Sequence, residues 1–569
     1  MRIIAAAHRG QPVVVRRSIA VFALLAGVAL GACDSPQSVL EPDPTPQNPT
    51  PQDPTPENPG AWDKVLENDT IKGDVVVPAG ETWLIGPNVW IEGNLRTDSG
   101  TIAMRPGSSL HFIGANPEEY IGGGMGWDPK YARDIGVWVG RAGVLDIRGT
   151  PKVGWNRTGS DPSWSPNDEL WITPTERGDY APRRWYPGEP IPQIDPRVPA
   201  AEVINVTRDI LIEGPAHILI TSKKPQRIEY VTLRNMGITN LAHEGPVMGR
   251  YALHLHYARD GSRGTIIRGV AAVESGGRVF VPHESHGITM IDNVSVNSLG
   301  EAFWWDIGDR TDDLTVDRLA VSGVHAHRSL TGKMSRNAAV TMGGGYNMVM
   351  RNSVVSGARG TSGAHGFEWP SGADNYGPAV WEFNDGNVAH NVEGSGVRLW
   401  FNKGENHVIE NLITYRNGAA GIENGAYRNS HRYINTLSVD DRMVQHSSSN
   451  KHAVDGGPSR FEGVEVYAAD GAALAFGVLN LPPLQPTEFV DCKLEGSPGS
   501  PDVLWNTEKA ANPLQIVFRN CGLTPDDFMV TGSFPAAIEG SRIVIENGSD
   551  AWEITLDMAA RSKVTTRID

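Results

Sequence analysis

The chain has 569 residues, with 64 Gly, 40 Pro and only 20% charged residues. That mix excludes a coiled coil or a long-helix protein and favours many short strands and turns. The formal net charge of −16 excludes non-specific binding to nucleic acid or to an anionic membrane surface.

In chain order, Arg2, Arg9, Arg16 and Arg17 precede the apolar run SIAVFALLAGVAL (Ser18–Leu30). This run is too short to span a membrane comfortably and reads as the core of an export signal over residues 1–32. LGAC follows, placing Cys33 where a bacterial lipobox puts its lipid-modified cysteine. In EPDPTPQNPTPQDPTPENPG (Glu41–Gly60), prolines recur every two to three residues, which makes a stiff, extended spacer. Residues 33–60 are therefore expected to be a lipid-anchored linker. Export, anchor and spacer together imply a domain held off a bacterial membrane by its lipid alone, facing the periplasm or the cell exterior, and a monomer is expected.

Residues 156–200 are rich in Pro and aromatics (Trp164, Trp171, Trp185, Tyr186). Such an insertion could lid a groove or plug one flank of the fold. From 201 to 530 a short motif recurs, a small or polar residue followed by two or three β-formers. It begins at Gly269, Asn293, Arg318, Asn352, Asn387, Asn411, Asn435 and Gly463, with gaps of 24, 25, 34, 35, 24, 24 and 28 residues. A helical repeat would need long amphipathic runs, and Gly and Asn interrupt every run. The pattern argues an all-β parallel β-helix, in which Asn turns corners in the left-handed conformation. A β-sandwich is the alternative, but its strands would not repeat their context in this way.

About twelve residues after each anchor comes a second strand: RVFVPHE, EAFWWDIG, HGFEWPS, GVRLWFN, AGIENGA, MVQHSS. Equivalent positions in a solenoid stack at roughly 4.8 Å. His283, Trp305 with Asp306, Glu368 with Trp369, Arg398 with Trp400, and Glu423 are thus expected in one column. Such a column suits an extended polar polymer, with tryptophans on sugar faces and charged groups on hydroxyls. The alternative is a merely amphipathic face.

In RYALHLHY (Arg250–Tyr257) the side chains alternate. Leu253 and Leu255 should point into a narrow aliphatic core, and His254 and His256 outward. His283 and then Asp306 follow about one coil apart, so the pair heads the same column. Three readings stay open here. His254, His256 and Asp306 could hold a divalent transition ion. The imidazoles could do acid–base work on a polymer. Or they could simply bond neighbouring turns. Further on, FVDCKL and FRNCGL place Cys492 and Cys521 29 residues apart in similar contexts, within disulfide reach if they occupy neighbouring coils. Residues 531–569 are expected to cap the β-helix.

Three blocks resemble one family, the cell-migration-inducing and transmembrane hyaluronidases and the fibrocystin-like proteins that share their modules. KGDVVVPAGETWLI (Lys72–Ile85), with LDIRGTPKVGW (Leu145–Trp155), is similar to their glycine-rich G8 domain. RIEYVTLRNMGI (Arg227–Ile238) and GRYALHLH resemble the run into their Y-P-I-H-F-H motif. RVFVPHESHGITMIDNVSVNSLGEAFWWDIG (Arg278–Gly308) is similar, without a gap, to their most specific block. The resemblance implies a right-handed parallel β-helix after a G8-like β module over 61–155, and cleavage of hyaluronan helped by Ca²⁺. It carries Arg278, His254, His256 and His283 over. It departs at Glu301, where the family has His, and at Asp306–Ile307, where the family has two carboxylates.

A hydrolase wants two carboxylates, for which Glu301, Asp306 and Asp309 are the candidates. A lyase acting on a uronic acid wants a base, for which His283, His256 or Tyr257 would serve, and a cation such as Arg278 or Ca²⁺ on the sugar carboxylate. Arg250, Tyr257, Arg278, Trp304, Trp305, Trp369, Arg398 and Trp400 are the expected substrate contacts. A non-catalytic glycan-binding lipoprotein with the same fold is the other class of function.

Overall fold

The computed structural model describes residues 62–114, 135–240, 245–247, 249–305, 310–326, 338–360, 364–369, 379–399, 406–425, 430–445, 459–476, 486–508 and 512–568. The chain divides into two units, Met1–Pro59 and Gly60–Asp569. The expected signal, Cys33 and the linker lie outside the described residues, as do Asp306, Asp309 and Trp400.

The second unit winds as a parallel β-helix. Each coil gives one strand to each of three sheets, and successive coils pair in parallel. In the first sheet Arg227–Glu229, Ile266–Arg268, Thr289–Ile291 and Thr315–Asp317 follow one another in register. In the second, Val231–Arg234, Ala271–Ser275, Val294–Leu299 and Ala320–Ala326 do the same. The third sheet runs in two stretches, one ending at Phe280–Ser285 and the other starting at Ala338–Thr341. Phe303 bridges them by pairing with both Phe280 and Val340.

The sequence forms short strands because each is a few β-branched or aromatic residues cut off by a left-handed corner. Gly269, Arg318, Asn352, Asn411, Asn435 and Gly463, six of the eight anchors, sit at φ between 50° and 62°. Asn293 and Asn387 do not. There Asp292, and Asp385 with Gly386, turn the corner instead. The freed side chains reach the adjacent coil: Asn293 Oδ1 accepts from Val270 N at 2.9 Å, and Asn387 Oδ1 from Ser353 N at 3.0 Å. Inward residues make one long core, which ends in a stacked ladder of Tyr433, Phe461, Phe489 and Phe518 with centroids 5.3, 4.5 and 5.0 Å apart.

One expected boundary falls differently, and one open choice is decided. The segment 61–155 is not a separate module, because its strands are the first turns of the same sheets: Val144–Arg148 pairs with Arg227–Glu229, and Gly136–Val139 with His217–Ile220. Short strands punctuated by glycine are what a solenoid coil requires as well. The insertion plugs a flank. Its strands Trp155–Asn156, Leu170–Ile172, Arg183–Trp185 and Val203–Asn205 form a small antiparallel sheet. Trp155, Trp171 and Ile204 pack on Val273, Val296, Val354 and Tyr415, outward side chains of the second sheet.

Buried Glu202 fastens that plug. It lies 2.9 Å from Arg157 and 3.1 Å from His390, and accepts from Thr173 Oγ1 at 2.9 Å. Burial alone would raise its carboxyl, yet Arg157, His390 and Thr173 together hold it at about 2. At the far end Arg542–Asn547, Asp550–Asp557 and Ser562–Arg567 turn antiparallel and close the last coil. Cys492 and Cys521, on successive coils, are joined as a disulfide with Cα atoms 4.5 Å apart.

Candidate functional site

The third sheet positions the site. Its outward row runs Arg96, Trp138, Leu219, His254, Val281, each in register with the next. The following outward position pairs His256 with His283. Leu253, Leu255 and Phe280 fill the core behind them. The alternation that sends two leucines in therefore sends the two histidines out, and one coil later His283 joins them. After His256 the register breaks, and Tyr257 at φ 50° and Arg259 at φ 54° bend the strand. A cleft of about 340 Å³ lies over the earlier part of this sheet, lined by Val76, Arg96, Asp98, Trp138, Leu219 and Thr221. The row from Trp138 through Leu219 leads from it to His254.

The three imidazoles form one cluster. One ring nitrogen from each can be chosen so that all three lie within 4.8 Å of one another. His256 Nδ1 and His283 Nδ1 share a hydrogen bond of 2.8 Å. His254 lies face to face with His283, centroids 5.9 Å apart and planes 5° from parallel. His254 Nδ1 donates to the carbonyl of Gly249 at 3.0 Å, which leaves Nε2 as a bare lone pair. That atom is buried and has no hydrogen-bond partner among the described residues. Gly249 takes φ 79° in the turn before the strand. Burial, and the neighbouring His256, His283 and Arg250, push the His254 proton affinity well below the ordinary histidine range.

Around the cluster the expected contacts sort themselves. Tyr257 is half-buried, its ring 4.4 Å from His256 and 4.6 Å from His283. Arg278 Nε is 2.6 Å from Glu301 Oε2, both side chains 3% exposed. The same guanidinium stands 3.7 Å over Trp304 and 5.4 Å from the Tyr251 ring. Arg250 is buried, 4.9 Å over Trp138. Trp138 and Tyr251 were not singled out from the sequence. The signal was available for Trp138, because it lies at the outward position of GVWVG two coils before His254.

Several expectations need correction. Trp305 and Trp369 do not face a sugar. Each is 1% exposed; Trp369 packs in the core against Phe383 and His407, and Trp305 lies against Gly343 and Val281. The cause is parity: Phe367 and Trp369 share one face of their strand, so Glu368 between them takes the other. Trp304 does point outward, but Arg278 covers its ring. Arg250 and Arg278, expected to grip a sugar acid directly, are buried in these packing contacts. Glu301 is bound to Arg278 and does not stand as a free acid or base. Among the described residues no carboxylate joins the histidine cluster, and Asp306, proposed as its third ligand, lies outside them.

The column of charged groups is present farther along. Glu368, Arg398 and Glu423 stand in register. Arg398 Nη1 is 2.9 Å from His365 Nε2 and 3.5 Å from Glu368 Oε1, and its Nε is 3.6 Å from Glu423 Oε1.

Calcium takes hard oxygen ligands, six to eight of them. Three imidazoles and no carboxylate do not fit it. Among the described residues the cluster offers Ca²⁺ no site.

No curated protein matches the chain. Similar solved structures include the tailspike protein gp49 from Pseudomonas phage LKA1, at 12% identity and TM-score 0.26 over 83% of this chain and 70% of that one. An exopolygalacturonase from Thermotoga maritima is similar at 12% identity and TM-score 0.20, over 87% and 86%. Residues 214–363, which include all three clustered histidines, match the family model described as the CEMIP beta-helix.

Proposed function

We propose that the chain is an exported, lipid-anchored enzyme that cleaves an acidic polysaccharide on the outer face of the third sheet, with His254, His256 and His283 at the reaction centre. One observation carries this reading. Two successive coils bring three imidazoles together on an outward face, and His254 is held by Gly249 with its Nε2 lone pair unused. A buried polar atom without a partner costs free energy that folding does not recover, and such costs gather where chemistry is done. The cleft beside Trp138 and the family match over 214–363 support a polymer lying along this face.

Of the two cleavage routes, elimination fits the described residues better. Hydrolysis wants two carboxylates, and Glu301 is engaged with Arg278. In elimination a base takes the proton from the carbon beside the sugar carboxylate. That electron pair forms the new double bond, the bond to the leaving oxygen breaks, and the oxygen takes up a proton. Tyr257 and the imidazoles beside it are the bases at hand.

The second reading, binding without cleavage, is favoured by the same Arg278–Glu301 pair, which leaves no acid–base couple of carboxylates at the cluster among the described residues. The full chain incubated with hyaluronan, chondroitin and pectate, with and without Ca²⁺, separates these. Shortening with new ultraviolet absorbance from the unsaturated product marks the lyase. Shortening without it marks a hydrolase, and retention without shortening marks a binder.

A further inference from the structure

We propose that His254, His256 and His283 bind one divalent transition-metal ion of the zinc class. The inference goes beyond the reading of the site as a glycan-cleaving centre, because metal uptake is measured without any substrate.

The donor set and its second contacts carry the argument. Three imidazole nitrogens with an open fourth position are a known catalytic arrangement for such ions. His254 has the required tautomer: its Nδ1–H is spent on the Gly249 carbonyl, the kind of outer contact that orients a metal-binding imidazole. Its Nε2, in a ring only 1% exposed, has no other partner among the described residues. Nitrogens held by one ion at about 2.0–2.1 Å in a tetrahedron lie about 3.4 Å apart. The Nδ1 atoms of His256 and His283 are 2.8 Å apart, and one nitrogen from each of the three rings can be taken so that all lie within 4.8 Å of one another. Small side-chain rotations bring all three to the edge length.

Charge among the described residues points to the chemistry of a fourth ligand. Glu301 neutralises Arg278, and Arg250 lies over Trp138. The described residues add no carboxylate, so a bound dication leaves the pocket short of negative charge. An anionic oxygen donor, such as hydroxide or a sugar carboxylate, would balance that charge. With the imidazole lone pairs on the ion, the proton acceptor beside it is Tyr257.

The test is metal titration of the chelator-stripped full chain with Co²⁺, Zn²⁺ and Ca²⁺, followed by calorimetry, the visible absorption of Co²⁺ and thermal unfolding. The expected result is one Zn²⁺ or Co²⁺ per chain, an intense tetrahedral-type Co²⁺ band, a raised unfolding temperature, and no Ca²⁺ uptake at this site. His254→Gln and His283→Gln, checked for native circular dichroism, should each weaken uptake by about 100-fold or more. Absence of stoichiometric uptake by the unaltered chain overturns the proposal. So does uptake that both folded variants retain. Uptake without glycan cleavage would leave the ion in place and remove the enzyme. Cleavage by chelator-treated protein that takes up no metal would do the reverse.

Discussion

At His254 a single backbone carbonyl decides the chemistry of a ring. Gly249 takes the Nδ1 proton, so the buried Nε2 is the nitrogen with a lone pair. The H-x-H spacing and strand alternation were enough to place both histidines outward and His283 beside them. They could not give the tautomer, because that depends on a turn five residues earlier. The tryptophans failed for a simpler reason. In HGFEWPS neighbouring residues cannot share a face, and alternation sends Trp369 into the core, while Trp305 of EAFWWDIG is buried against Val281 and Trp304. Glu301, the departure from the family pattern, is the ion-pair partner of Arg278. Glu301→Gln therefore leaves a guanidinium buried without its counter-charge and should cost about 3–5 kcal/mol in chemical denaturation. An effect under about 1 kcal/mol would mean the pair is solvated.

A second residue gives a pH signature away from the site. Burial raises the Asp441 carboxyl to about 7, against two hydrogen bonds from Asn417 that favour its charged form. A carboxyl raised on folding holds its proton more tightly in the native state than in the unfolded chain. Its contribution to stability is therefore complete below the ordinary aspartate value and is lost as pH rises through about 7. Between those limits the unaltered chain should lose a few kcal/mol that Asp441→Asn does not lose. Parallel stability–pH curves for the two proteins would rule this out.

At the scale of elements, the coil is the unit that the sequence displayed most plainly. Its anchors mark left-handed corners, and even the two that do not turn, Asn293 and Asn387, bond the coil beside them. The plug over residues 156–200 was less legible. Its tryptophans read equally as a lid or as packing, and only the outward valines of the second sheet decide for packing. Two consequences can be measured. The disulfide closes a loop of 29 residues, so Cys492→Ser with Cys521→Ser should cost roughly 3–4 kcal/mol. Phe461 sits between two stacked rings with no exposure. Phe461→Ala should cost about 3–5 kcal/mol through lost contact and the cavity left behind. A loss below about 1 kcal/mol would show that the last coils unfold apart from the rest.

For the whole molecule, the solenoid explains why residues as distant as Trp138 and His283 share one face. Each coil advances the chain by a strand spacing, so sequence separation of tens of residues becomes contact. The same winding absorbs the segment expected to stand apart as a G8-like module, since nothing in its strands distinguishes them from later coils. The substrate, by contrast, is written in side chains whose orientation the repeat alone does not fix. The most direct measurement is the chain length of an acidic glycan series, hyaluronan included, after incubation with the full chain and with folded His283→Ala. The account predicts shortening of at least one glycan by the unaltered protein and its loss in the variant. Shortening at an unchanged rate in the variant, or none of any glycan by either protein, would contradict it.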